Sequence, residues 1–310
     1  MRLGVLDVGS NTVHLVAVDT RGGARPSPMS DWKTGLRLVE QLDDGGAITD
    51  KGIKKLIAAV GEAAQLADQL GCQELIPFAT SAIRSATNGP EVLDAVERDT
   101  GVRLTVLSGE EEARLTFLAV RRWYGWSAGR IVNIDIGGGS LELTTGTDEE
   151  PDVAVSLDLG AGRLTHSWFD TDPPARKKIN LLRDYIDAEL YEPAKRFQLL
   201  GEARVAAGTS KTLRTLARLT GAAPSSAGPF VQRTLTAAGL RQLIAFISRM
   251  TSADRAELEG VSLDRSHQLV AGALVAEASM RALGIEKLDI CPWALREGVI
   301  LRRIDKESDT

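Results

Sequence analysis

Two stretches of the chain set an Asp just ahead of a glycine-bearing turn: Asp7-Val8-Gly9-Ser10-Asn11 and Asp135-Ile136-Gly137-Gly138-Gly139-Ser140. A glycine has no Cβ, so its N–H can approach a bulky anion, and successive N–H groups in a turn form a concave anion site. A carboxylate beside such a turn repels a bare phosphate but suits one that carries a divalent cation, which prefers hard oxygen ligands. The pattern reads as a phosphate loop with a metal carboxylate, built twice. The competing reading is two ordinary tight hairpins with an Asp at the turn. A third loop, Ala206-Ala207-Gly208-Thr209-Ser210-Lys211-Thr212, follows a strand pattern and opens a helical one. Free N–H groups and hydroxyls of Gly208, Thr209 and Ser210 at a helix start favour an anion, although a plain Thr or Ser cap accounts for the same residues.

The elements that must position these loops alternate between strand and helix. Residues 3–19 read as a hairpin and residues 21–28 as a loop. Apolar residues at helical spacing predict a helix over 50–70, capped by Thr49 or Asp50 and stopped by Gly71. Further expected elements are strands at 74–80, 102–108, 152–160, 203–210 and 287–291. Helices are expected at 90–98, 110–124, about 174–191, 211–218, about 236–250, about 266–283 and about 293–302. Such alternation implies a parallel or mixed sheet covered by helices, an α/β fold. Residues 7–15 also align with 135–143, strand, Asp-apolar-Gly turn and alternating strand in both, at an offset of 128. The echo implies a duplicated fold of two similar lobes with a cleft between them.

Composition narrows the setting. A chain of 310 residues suits one large or two medium domains, and no apolar run approaches the roughly 18 residues of a membrane span. Asp7 comes too early for the apolar region of a signal peptide. Two cysteines, Cys72 and Cys291, argue against a disulfide framework and fit a reducing compartment, so the expected location is the cytoplasm. A net charge of −5 disfavours a general nucleic-acid binder.

Together the three loops resemble the actin-like ATPase superfamily of sugar kinases, actin and Hsp70. The ordered segments LDVGSNTVHL, FATSAIR, LSGEEEARL, NIDIGGGSLEL, SLDLGAGRLT, AGTSKTL and WALREGVI narrow the resemblance to the exopolyphosphatase/guanosine pentaphosphate phosphatase (Ppx/GppA) family, in its short two-domain form. This resemblance runs from Leu3 to Ile300. It implies two actin-like, ribonuclease H-like lobes, residues 1–125 and 126–310, with the C-terminal helix packing back on the first. It also implies hydrolysis of the terminal phosphoanhydride of inorganic polyphosphate. The alternatives are removal of the 5′ phosphate of guanosine pentaphosphate, which would tie the chain to the stringent response, and an ATP-dependent phosphotransferase. The expected partners are polyphosphate, guanosine penta- or tetraphosphate and a second copy in a homodimer, with no nucleic acid and no membrane.

The resemblance assigns roles residue by residue. Glu112, directly before Ala113-Arg114, is implied as the general base that activates water, while Glu110 and Glu111 suit the helix dipole. Asp7, Asp135 and Glu142 are the implied ligands of Mg²⁺ or Mn²⁺, with Glu142 also readable as a solvent-facing strand residue. Its counterpart in the repeat, His14, reads as structural. Arg84 matches a phosphate-binding arginine or is a surface arginine at a helix start. Ser10, Asn11, Gly137, Gly138, Gly139, Ser140, Gly208, Thr209, Ser210 and Lys211 are the expected phosphate-loop members. Lys211 stands where many members have glycine. With Arg214 and Arg218 it forms either a solvated charge stripe or a path for a polyanion.

Overall fold

The computed structural model describes residues 1–20 and 28–308. The chain forms two compact units, Met1–Thr116 with Leu295–Thr310, and Phe117–Ala294.

The first unit contains β1 (Arg2–Val8), β2 (Thr12–Asp19), β3 (Pro28–Gly35), α1 (Asp50–Gln69), β4 (Glu74–Ala79), α2 (Ser81–Arg84), α3 (Gly89–Thr100) and β5 (Thr105–Val106). The start of α4 (Gly109–Tyr124) also belongs to it. The sheet order is β3-β2-β1-β4-β5, with β1 antiparallel to β2 and parallel to β4. Alternation along β1 sends Leu6 and Val8 to a core with Leu56 and Val60 of α1 and Val92 and Val96 of α3. Leu3 and Val5 go to the opposite face. A strand covered on both faces reads as a continuous apolar run, as β1 does.

The second unit contains β6 (Ile131–Ile136), β7 (Leu141–Gly146), β8 (Val153–Leu157), α5 (Ala161–Trp168), α6 (Arg176–Gln198), β9 (Val205–Gly208) and α7 (Ser210–Leu219). It continues with β10 (Thr234–Thr236), α8 (Ala237–Ile247), α9 (Ser252–Ala256), α10 (Leu269–Ala282) and β11 (Lys287–Ile290). Its sheet order is β10-β11-β9-β6-β7-β8. Without the added edge strand β10, that is the order of the first unit read from the other side.

The repeat extends to the turns. Gly9 N donates to Thr12 O at 3.0 Å, and Gly137 N to Ser140 O at 2.9 Å. Asp7 faces His14 across β1–β2 as Asp135 faces Glu142 across β6–β7. The fold is α/β and actin-like, two mixed sheets with flanking helices.

The last helix, α11 (Leu295–Ser308), returns to the first unit. Its Val299 and Ile300 pack with Leu3, Val5, Phe78 and Leu115. Gly298 makes this approach possible, since a Cβ there would lie 1.9 Å from the carbonyl oxygen of Leu115.

Several elements differ from expectation. The strand expected at 102–108 contracts to Thr105–Val106. The helix expected to end near residue 191 runs to Gln198, through Pro193. Proline removes one i→i−4 bond, but Leu190, Ala194 and Phe197 continue the buried stripe across it. The strands β3 and β10 and the helix α5 were not foreseen. Residues 21–27 of the expected 21–28 loop lie outside the described residues, and Pro28 opens β3.

Candidate active site

In the first unit the β1–β2 turn is held by its own backbone and by neighbours. Asn11 O accepts from Leu36 N at 2.8 Å and Arg37 N at 3.1 Å. The buried Ser10 hydroxyl lies 3.0 Å from that of Ser81 at the start of α2. Asp7 Oδ2 lies 3.7 Å from Arg296 Nη1. Arg296 also contacts His14 Nδ1, whose Nε2 is 2.7 Å from Asp31 Oδ1. His14 thus braces an arginine that faces Asp7.

The three glutamates at the start of α4 separate by their contacts. Glu110 pairs with Arg114 one turn on, at 2.7 Å in the open. Glu111 forms a reciprocal cap: Ser108 N donates to Glu111 Oε2 at 2.8 Å, and Glu111 N donates to Ser108 Oγ at 3.2 Å. Glu112 is turned inward, and its Oε2 accepts from Arg84 Nη1 at 3.2 Å. The same Arg84 nitrogen donates to Leu107 O at 2.8 Å, which fixes the guanidinium at the end of α2. Two of the three acids therefore have local structural partners, and the third is set against Arg84.

The Glu111 cap carries a pH signature. The Ser108 backbone N–H, then its hydroxyl, hold the Glu111 carboxyl below its usual range. A folded value below the unfolded one means stability that is present above the unfolded value and lost as pH falls through the folded one. Glu111→Gln is therefore expected to lower the melting temperature at neutral pH, and the gap from wild type is expected to close on acidification. A pH series of melting curves checks this.

In the second unit the Gly137–Gly139 turn is shaped by α5. Ala161 N donates to Gly137 O at 3.0 Å, Arg163 N to Gly138 O at 2.9 Å, and Arg163 Nε to Gly139 O at 2.9 Å. With the carbonyls engaged there, the amides of Gly138 and Gly139 donate to no acceptor among the described residues. Gly160 lets the backbones meet: a Cβ would lie 2.2 Å from Gly139 C and 2.3 Å from Ser140 N. The residue types and spacing single out neither Gly160 nor Arg163 for the site, although the segment SLDLGAGRLT contains both.

Asp135 Oδ2 accepts from Thr209 Oγ1 at 2.5 Å, which ties the second loop to the third. Glu142 is only 2% exposed, so it is not a solvent-facing strand residue. Its Oε1 accepts from Ser156 Oγ at 2.9 Å. In the third loop, Gly208 O accepts from Cys291 N and Thr209 N donates to Ile134 O. Ser210 has φ of 69°, a left-handed conformation rare outside glycine and frequent where a site over-determines the backbone. Lys211 is exposed, and Arg218 is engaged by Glu259 and by Ala222 O.

No group of three or more His, Cys, Asp or Glu side chains stands ready to hold a metal among the described residues. The Asp135–Glu142 pair still fits Mg²⁺, which usually takes one or two carboxylates and completes its shell with water and substrate phosphate. No helix among the described residues is long and apolar enough to cross a membrane.

The chain is 64% identical over 309 residues to Exopolyphosphatase 1 of Mycobacterium tuberculosis (strain ATCC 25618 / H37Rv), covering 100% of this chain and 90% of that protein. It is 62% identical to Exopolyphosphatase 1 of Mycobacterium leprae (strain TN), covering 100% of this chain and 91% of the relative. An exopolyphosphatase from Cytophaga hutchinsonii has the same fold, with a TM-score of 0.89 at 23% identity over 99% of this chain and 98% of that one. The Aquifex aeolicus PPX-GPPA enzyme gives 0.78 at 25% identity, over 97% and 99%. The Ppx/GppA phosphatase family profile matches residues 15–307, and the chain belongs to that family.

Proposed function

We propose that the chain is an exopolyphosphatase, which hydrolyses the terminal phosphoanhydride of inorganic polyphosphate and releases orthophosphate. The 64% identity to proteins named Exopolyphosphatase 1 supports the substrate class. The observation that carries the chemistry is the inward pairing of Glu112 with Arg84.

In this reading Arg84 binds the terminal phosphoryl group, and Glu112 takes the proton of the attacking water. Phosphoryl transfer is largely positioning and neutralisation of charge on the transferred group. Positioning falls to the amides of Gly138 and Gly139 and to the loops at Ser10–Asn11, Ser140 and Gly208–Lys211. Asp7, Asp135 and Glu142 are the proposed ligands of Mg²⁺, which when bound neutralises phosphoryl oxygens. The proposal includes a cytoplasmic location, supported by Cys72 and Cys291 forming no disulfide among the described residues, and a homodimer, supported by family resemblance.

The test is orthophosphate release with Mg²⁺ from short polyphosphate, long polyphosphate, guanosine pentaphosphate and ATP in parallel. Polyphosphate is expected to be the fastest substrate. Faster release from guanosine pentaphosphate would keep the site and overturn the substrate. No release from any of them would overturn the hydrolase reading.

A further inference from the structure

Directly beneath the Asp135–Glu142 pair, the sheet of the second unit buries a second polar pair. Asn133 and Thr144 are register partners across β6–β7, as Asp135 and Glu142 are two residues further on. Side chains two apart on a strand share a face, so the four form a ladder on one face. Asn133 and Thr144 are each 1% exposed. Asn133 Oδ1 and Thr144 Oγ1 have no hydrogen-bond partner among the described residues. Native interiors rarely leave such oxygens unsatisfied, and a buried water with two to four polar partners is the usual remedy.

We propose that Asn133 and Thr144 are positioning residues for the cation carboxylates and act through one shared ordered water. The water accepts from the Thr144 hydroxyl, donates one proton to Asn133 Oδ1 and donates the other to the carboxylate of Glu142. Ser156 Oγ already donates to Glu142 Oε1 from the neighbouring strand. The water fixes the carboxylate from the other side, so that it meets a cation in one orientation. Groups that orient a ligating carboxylate change metal affinity by about 10- to 100-fold when removed. The inference rests on the proposed role of Asp135 and Glu142 in holding Mg²⁺.

The experiment is a titration of melting temperature against Mg²⁺ and Mn²⁺, without substrate. It compares wild type, Glu142→Gln, Thr144→Val, Asn133→Leu, the Val/Leu double variant and Thr144→Ser. Thr144→Val and Asn133→Leu are each expected to weaken half-saturation about tenfold. The double variant is expected to be little worse than either, because both remove the same water. Without metal, the double variant is expected to melt at or above the wild-type temperature, since it replaces both polar partners of the water together by apolar groups of similar size. Thr144→Ser, which restores the hydroxyl, is expected to bind metal like wild type. Unchanged half-saturation in the double variant, or fully additive losses, would overturn the shared water. A wild type with no metal response, or a Glu142→Gln variant that keeps it, would instead overturn the metal assignment and the inference with it.

Discussion

Glu112→Gln is expected to lower kcat for orthophosphate release by about 10²–10⁴-fold, the usual contribution of a positioned general base. The amide keeps the shape of the side chain and an acceptor for Arg84 Nη1, so the end of α2 stays anchored through Leu107 O as well. It cannot take a proton from water. KM is expected to change far less than kcat, because the proposed phosphate contacts of Arg84 and the loops survive. Glu110→Gln and Glu111→Gln supply the comparison. Their partners are Arg114 and Ser108, so kcat in both is expected to stay within about twofold of wild type, as surface and cap changes act mainly on stability. A steady-state comparison of the three variants tests the assignment. Full activity in Glu112→Gln, or equal losses in all three, would remove Glu112 from the mechanism.

Gly160→Ala is expected to damage activity and stability together. The added methyl would meet backbone atoms of Gly139 and Ser140, at 2.2 Å, 2.3 Å and 2.5 Å, and backbone cannot rotate aside as a side chain can. Either α5 retreats or the Gly137–Gly139 turn is pushed out of shape. Overpacking of this kind costs about 1–3 kcal/mol. A displacement of about 1 Å in a group that positions substrate can cost about 10²-fold in rate. Gly35→Ala is the control, since a Cβ there meets nothing within 4 Å and the residue has no left-handed backbone. It is expected to behave as wild type. An active, stable Gly160→Ala would show that the turn tolerates movement and that its amides do not position substrate.

What the sequence made legible follows the range of the interactions involved. The two hairpins were readable because their period of two, their turn glycines and their Asp residues all lie within ten residues of one another. The helix α1 was readable from its apolar spacing, and Thr49 Oγ1 does accept from Gly52 N as its cap. The eight-residue α5 was missed because its first amides are satisfied by carbonyls of Gly137 and Gly138, more than twenty residues upstream. The strand β3, Pro-Met-Ser-Asp-Trp-Lys-Thr-Gly, has no alternating apolar pattern and exists because β2 offers it an edge. Period alone placed Glu142 on a face of its strand without saying which face is buried. Glu110, Glu111 and Glu112 are alike in sequence, and only the positions of Ser108, Arg114 and Arg84 tell them apart. The pairing of Arg296 with Asp7 joins opposite ends of the chain, beyond any local pattern.

The return of α11 to the first unit bears on how the protein is made. A ribosome delivers Leu3, Val5, Val16 and Phe78 early, yet Val299 and Ile300, which help cover their face, emerge more than two hundred residues later. Between them comes the whole of the second unit, Phe117–Ala294, which is contiguous and can fold as it appears. At roughly 5–20 residues per second the first sheet waits some tens of seconds with one apolar face uncovered. During that interval the nascent chain presents a surface that a holdase or a second nascent chain can occupy. Loss of α11 would therefore leave that face of the first sheet uncovered, although the lesion lies more than two hundred residues downstream of Phe78 in sequence.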